Sequence, residues 1–411
     1  MQGEQFRVYP YRWVVLAVVM FVNLTIQMLW ISYAPVSSTA QSYYHVSDLA
    51  IAVLPMTFML AFIPLSLPVA WVIDTYGFRR AVSAGVILMS VFGIARGLAG
   101  DAYPLVLAAT IGIAVAQPLL LNAWTKVAAN WFATEERASA VGLTTVANLV
   151  GTAIGMVLTP LLVETMSLST IQLGYGLLAA VSAVLFIAFA RERPPTPACP
   201  PGQEARALML DGLRHALRVR PFLIYLVVVF IGMGIFNGLN TWIEDILRPR
   251  GFDSTDAGTV GAVFLLSGIV GAIVLPFLSD RQRRRRRYLL IAMIGAIPGL
   301  VGVAFATGLP LVLASAFVMG FFLVSAMPIG MQYAAEVTYP TPEGTSNGLI
   351  QLLGQGSVVL VYAMVALKSS DGSFAPAMAV CVVLLVVNVL LLTQLHDAGS
   401  PGLAPAPAAA A

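Results

Sequence analysis

The feature that most limits what this chain can become is a succession of long apolar runs. A helix that crosses a bilayer needs about 20 mainly apolar residues. Such runs lie at 13–37, 49–73, 80–99, 104–128, 138–163, 168–190, 221–246, 257–279, 288–306, 309–333, 345–367 and 374–395. Several hold a central proline, such as Pro64, Pro118 and Pro328. Membrane helices tolerate this because neighbouring groups re-satisfy the freed backbone. The chain is 59% hydrophobic and 10% charged, against roughly 45–50% and 25% for a soluble domain. Lipid is therefore the expected solvent, and the expected fold is all-α with 12 transmembrane helices. The first run follows Arg7 and Arg12 as a cleaved signal peptide would. Eleven more runs follow it, so a retained first helix is expected.

The few charges give an orientation. With the N-terminus inside, 18 of the 22 Lys and Arg fall on inner segments, leaving Arg96, Arg248, Arg250 and Lys368 outside. That is the positive-inside pattern, with both termini cytoplasmic. The Arg283–Arg287 block has the composition of a nucleic-acid patch. Its apolar flanks make it an orientation anchor instead, and no nucleic-acid partner is expected. Lone carboxylates such as Asp48 and Asp101 read as solvated loop residues, and Trp13, Trp71, Trp131 and Trp242 as interface anchors. Two cysteines, Cys199 and Cys381, support neither a disulfide framework nor a metal site. The expected protein is a monomer in the cell (cytoplasmic or inner) membrane, without a cofactor, meeting lipid and a small-molecule substrate.

The chain also repeats itself. One charged loop opens at Asp74 and runs to Arg79 and Arg80; another opens at Asp280 and runs through Arg281 into the arginine block. The aspartates are 206 positions apart (280 − 74). Glu136-Arg137 leading to Gly142 is echoed by Glu343-Gly344 leading to Gly348, again 206 apart. Duplicated halves are how many transporters are built. The expected division is an N-terminal six-helix bundle (1–190), a linker (191–220), a C-terminal bundle (221–396) and a Pro/Ala-rich tail (397–411). The linker opens with five prolines and then spaces leucines among arginines over 205–218, which predicts a short amphipathic helix on the inner leaflet.

These residues resemble the major facilitator superfamily. Asp74, Gly77, Arg79 and Arg80 fit its loop between helices two and three; the second copy keeps Asp280 and the basic residues but lacks the glycine. Within it the chain is similar to the feline leukaemia virus subgroup C receptor-related transporters, a family associated with choline, ethanolamine and haem. The phrases that carry this are Arg12-Trp13-Val14-Val15-Leu16, Ala116-Gln117, and above all Ala334-Ala335-Glu336-Val337-Thr338-Tyr339-Pro340 with Glu343-Gly344-Thr345-Ser346.

A transporter site of this kind lies near mid-membrane between the halves. Polar and aromatic residues available there are Gln27, Trp30 and Tyr33 in span one, Gln117 and Asn122 in span four, Asn237 and Asn240 in span seven, and Gln351 and Gln355 in span eleven. An amide in lipid is costly and should face a partner helix or a cavity. The resemblance implies that Trp30, Gln117 and Gln355 hold substrate. The aromatic that the choline-transporting relatives carry in helix seven is here Asn237, with Phe236 and Trp242 nearby.

No ionisable residue sits near the middle of a run; Arg96, Glu244, Asp245 and Glu336 lie near ends. Proton-coupled transporters use buried titratable groups, so facilitated diffusion is expected. A quaternary ammonium on an aromatic face fits that absence. His45, His215 and His396 lie in loops or ends, so no haem iron is ligated at mid-membrane. No enzyme motif is present. The expected function is a facilitator of small, choline-like organic cations or amines working by alternating access. The alternative is a proton- or ion-coupled transporter or exporter of an organic anion, drug or porphyrin. Asp74, Arg79 and Arg80, with Glu136 as partner, are expected to gate the inner side of the first half; Asp280, Arg281 and Glu343 are expected to gate the second.

Overall fold

The computed structural model describes residues 8–133, 136–196, 209–339, 341 and 343–396. Among these every regular element is helical. Span one is α1 (Arg12–Ile31), a 3-10 turn (Ala34–Val36) and α2 (Ser37–Tyr44). Spans two and three are α3 (Asp48–Tyr76) and α4 (Phe78–Leu98). Span four is split into α5 (Tyr103–Leu121) and α6 (Trp124–Trp131). Spans five and six are α7 (Arg137–Val163) and α8 (Leu168–Phe189). A short helix α9 (Met209–Ala216) precedes span seven, α10 (Arg220–Leu247). Then come α11 (Ser254–Gln282), α12 (Arg285–Phe305) and α13 (Leu309–Val337). Span eleven is split into α14 (Glu343–Gly356) and α15 (Val358–Ala366), and α16 (Ala375–Thr393) is the twelfth. Among the described residues, twelve helical segments are long and apolar enough to cross a membrane.

Helices α1 to α8 pack among themselves, notably α1 on α7, α4 on α8 and α3 on α5. Helices α10 to α16 do likewise, with α11 on α13 and α12 on both α13 and α16. The halves meet where α7 lies against α11 and α3 against α14. Small residues set how close helices come. A Cβ on Gly151 would fall 2.3 Å from the Leu24 carbonyl oxygen, and one on Gly155 2.5 Å from Ile31. The outward faces carry Leu67, Trp71, Ile273, Phe277 and Val383, all exposed. Such side chains suit a hydrocarbon solvent.

Local signals set the helix ends. Ser47 and Ser167 accept from the amides of Ala50 and Thr170, and Asp253 and Asp256 form a reciprocal capping box. The break between α3 and α4 is made by Gly77 at φ 87°, a region that glycine enters without penalty. In the second half the matching break falls on Arg283 at φ 51°. The backbone turn is thus repeated although the glycine is not.

Two tryptophan expectations are corrected. Trp13 and Trp71 are exposed, but Trp131 and Trp242 are buried. Trp131 donates its indole N–H to the Arg191 carbonyl at 2.9 Å, and Trp242 donates to the Val361 carbonyl at 3.0 Å. Both therefore tie helices together inside the protein. Helix α9 (Met209–Ala216) falls inside the stretch 205–218 where the linker helix is expected. The rest of the linker from 197 to 208 and the tail from 397 to 411 lie outside the described residues.

Candidate functional site

Four spans are interrupted, and they are the four that supplied candidate residues. Span one breaks after Ile31, span four between Leu121 and Trp124, and span eleven at Ser357. Span seven loses helical geometry at Trp242, with φ −104° and ψ 15°. In many transporters interrupted helices surround the substrate site.

Side chains give the levels. Trp124 donates its indole N–H to Asn23 Oδ1 at 2.9 Å, which pins span four to span one. These spans run antiparallel. Trp30 lies seven residues beyond Asn23, and Gln117 seven residues before Trp124. At about 1.5 Å per residue both stand roughly 10 Å further along, at one level. In the second half Asn237 Nδ2 donates to Ser357 Oγ at 3.5 Å, and Trp242 meets Val361 one turn further on. Gln355 and Gln351 follow on the inner side of that level.

Trp30 is buried and donates its indole N–H to the Pro55 carbonyl at 3.1 Å. Its remaining offering is the ring face. Gln27 Oε1, Gln117 Oε1 and Asn240 Oδ1 are buried without a hydrogen-bond partner among the described residues. An unpaired buried acceptor costs about 1–3 kcal/mol. Such oxygens can take hydrogen bonds from a solute, but Asn240 lines a small space with Leu239, Val260, Phe264 and Met319 of its own half, away from Gln27 and Gln117. Asn148 Oδ1, on α7 one turn before Gly151, is in the same state and was missed in the sequence reading. Its signal is a lone amide in an apolar run. Gln351 and Gln355 are half-buried.

Other candidates are engaged elsewhere. Asn122 Nδ2 donates to the Ser66 carbonyl at 3.1 Å, joining spans four and two. Tyr33 is not brought to the Trp30 level. Its hydroxyl is 3.1 Å from that of Tyr44, and the Arg96 guanidinium lies 5.3 Å from its ring centroid. It belongs to a separate cluster with Val36, Ala40, Ile51 and Val106 at the outer end. Arg96, near its helix end as expected, is buried there and donates to the Leu29 carbonyl at 3.0 Å. A cation at the end of α1 complements the helix dipole. Of the span-seven aromatics, Trp242 packs on Phe374 at 5.2 Å, while Phe236 stays half-buried against Phe264 at 5.5 Å.

The ends of the two halves that the charge pattern assigns to the outside are fastened together, which the sequence reading did not foresee. Ser37 Oγ donates to Asp245 Oδ2 at 2.7 Å, and the Ser38 amide to Glu244 Oε2 at 3.0 Å. The Ser38 hydroxyl also bonds Glu244. Two carboxylates of span seven thus sit on the N-terminus of α2, where a helix favours negative charge. Lys368 pairs with Asp48, so Asp48 is no solvated loop residue. Thr255 Oγ1 donates to Glu164 Oε1 at 3.4 Å.

On the opposite side the expected gate residues bond within their own halves. Glu136 holds Arg12 through two contacts, one of 3.0 Å, and the guanidinium lies over Trp13 and Phe132. The amides of Phe78 and Arg79 donate to the Glu192 carboxylate at 3.2 and 2.7 Å, and Arg80 is exposed. The partner on the N-terminus of α4 is therefore Glu192, at the start of the linker. Asp280 pairs with Arg285, which also holds Glu336 at 3.1 Å, while Arg281 is exposed. The side chains of Asp74 and Glu343 lie outside the described residues.

Comparison with known proteins gives a consistent picture. A family profile described as Major Facilitator Superfamily matches residues 16–362 and 246–408. The chain is 32% identical over 368 residues to Solute carrier family 49 member A3 of Danio rerio, covering 86% of this chain and 77% of that protein. It is 25% identical over 405 residues to Choline/ethanolamine transporter flvcr2b of Danio rerio, covering 93% and 84%. Among solved structures it resembles a bacterial homolog of the human lysosomal transporter Spinster, described as inward-facing and unoccupied. That match has a TM-score of 0.74 and 16% identity, over 96% of this chain and 100% of the other.

Proposed function

Because this chain belongs to the Major Facilitator Superfamily, whose members are membrane transporters and not enzymes, we propose that it is a facilitator of small organic cations or amines of the choline type, moved by alternating access across the cell membrane. The observation that carries this reading is that the four broken spans are those holding Trp30, Gln117, Asn240 and Gln355. An indole face whose N–H is already spent attracts an ammonium group by cation–π interaction. Unpaired amide oxygens at Gln27 and Gln117 accept from a hydroxyl or an N–H of the same solute. The relatives named as choline/ethanolamine transporters support the class.

In this reading the contacts of Ser37 and Ser38 with Asp245 and Glu244 close the outer side. Asp74, Arg79, Arg80, Asp280, Arg281 and Glu343 close the inner side in the opposite state. Each closure needs contacts present in only one state, since shared contacts shift nothing.

The test is a thermal-shift screen of the purified protein, followed by uptake into vesicles without ion gradients. Choline-like amines are expected to raise Tm, because a ligand of the folded state stabilises it. Uptake is expected to persist without a gradient and to need a higher amine concentration in Trp30→Ala. Shifts confined to organic anions, or uptake only under a pH gradient, would overturn the proposal.

One observation favours the ion-coupled alternative. Glu244 and Asp245 are each only 2% exposed, and buried carboxylates inside spans are the usual seat of coupling. In that reading protonation of this pair would release Ser37 and Ser38.

A further inference from the structure

We propose that the basic end of the second half is a docking surface for anionic phospholipid headgroups. Only Arg283 and Arg284 separate α11 from α12, so this connection hugs the ends of two spans. Arg281, Arg283, Arg284 and Arg287 are exposed, and their side chains have no bonding partner among the described residues. Helix α9 is fastened to the same end, since Thr341 Oγ1 donates to the Gly212 carbonyl at 3.3 Å and Ala216 is buried. It adds Arg214, Arg218 and the following Arg220, all exposed.

The protein does not neutralise these charges with its described carboxylates there. Asp280 and Glu336 are both committed to Arg285. The first half differs. Its Arg12 is held by Glu136, Arg79 donates to the Ile187 carbonyl at 3.4 Å, Arg137 to the Ala129 carbonyl at 3.1 Å, and Arg191 lies 4.8 Å from the Tyr11 ring centroid. These four side chains of that half are thus engaged within it, whereas Arg281, Arg283, Arg284 and Arg287 of the second half are exposed together, beside Arg285 and Arg286, which are bonded.

What lies beside them is fixed by the spans. Leu217, Leu223 and Phe277 are exposed among or just below these arginines. An apolar side chain outward between basic ones marks the boundary of hydrocarbon and headgroups. The arginine fork matches two phosphate oxygens at once. Basic residues at an anionic leaflet gain attraction that fades within a Debye length. A phosphodiester carried at that boundary meets both the charges and the apolar neighbours; free phosphate or a nucleic acid meets the charges alone.

The experiment uses the full chain in neutral detergent and reads Tm and lipid adducts by native mass spectrometry. Phosphatidylglycerol is expected to bind and raise Tm, phosphatidylcholine to do neither, and high salt to weaken the effect. The R283Q/R284Q/R287Q variant should bind phosphatidylglycerol on the order of a hundred-fold more weakly, from roughly five-fold per charge. Should that variant not fold, R284Q is expected to lose about five-fold and R284K to retain most binding. An unchanged affinity in the arginine variants, an equal response to phosphatidylcholine, an equal shift with inorganic phosphate, or displacement of the lipid by an oligonucleotide would overturn the proposal.

Discussion

The Ser37 hydroxyl donates to the Asp245 carboxylate at 2.7 Å, although the two residues belong to opposite halves and stand 208 positions apart. Both are buried. The contact can exist only while the outer ends are together.

Removing it should therefore open the outer side. A hydrogen bond to a charged group contributes about 1.5–3 kcal/mol, which corresponds to a roughly ten- to hundred-fold shift between states. Asp245→Asn and Ser37→Ala are each expected to favour outer opening. Spin labels on Met166→Cys and Asp371→Cys, both exposed near the outer ends, would report it as a longer distance. An unchanged distance distribution in both variants contradicts the latch.

Gly77 is constrained twice. It sits at φ 87°, and a Cβ there would lie 2.7 Å from the Glu192 carboxylate. Gly77→Ala is expected to lower stability by about 1–3 kcal/mol from the backbone alone. Adding Glu192→Ala should relieve the clash without recovering the original Tm. Full recovery in the double variant would mean that the conformation is costless.

Trp30 has separable duties. Trp30→Phe keeps a ring face but leaves the Pro55 carbonyl without its donor. Such a loss costs about 1–3 kcal/mol of stability and should spare most ligand affinity. Trp30→Ala removes the ring too, and a cation–π contact of about 0.5–2 kcal/mol predicts a two- to thirty-fold weaker amine. Paired calorimetry and melting curves separate the two; equal affinity losses in both variants would count against a ring-face contact.

Asn237 stands where the resemblance places an aromatic. Asn237→Trp is expected to raise quaternary-ammonium affinity by up to about ten-fold through cation–π attraction. Titration of purified protein checks this, and weaker binding would show that the polar residue is itself a ligand contact.

The span boundaries were legible because hydropathy records where a helix leaves lipid. Hydropathy does not record which way each face points when a helix is apolar all round. Thus Trp242, read as an interface anchor, turned out buried, and Tyr33 turned toward Arg96 and Tyr44 instead of Trp30. The outer latch was hidden for a related reason. Serines and acids at span ends look solvated until the opposite half is placed against them. Glu192 was hidden by its position among linker prolines, where a charged residue carries no periodic signal.

The four broken spans sort the molecule mechanically. The eight continuous spans act as struts, and the interrupted ones are where regular helix geometry already gives way. Damage to a strut should empty the membrane of protein. Damage at Gln117 or Gln355 should leave the protein in place but idle, so abundance measured beside flux tells which kind of part was broken.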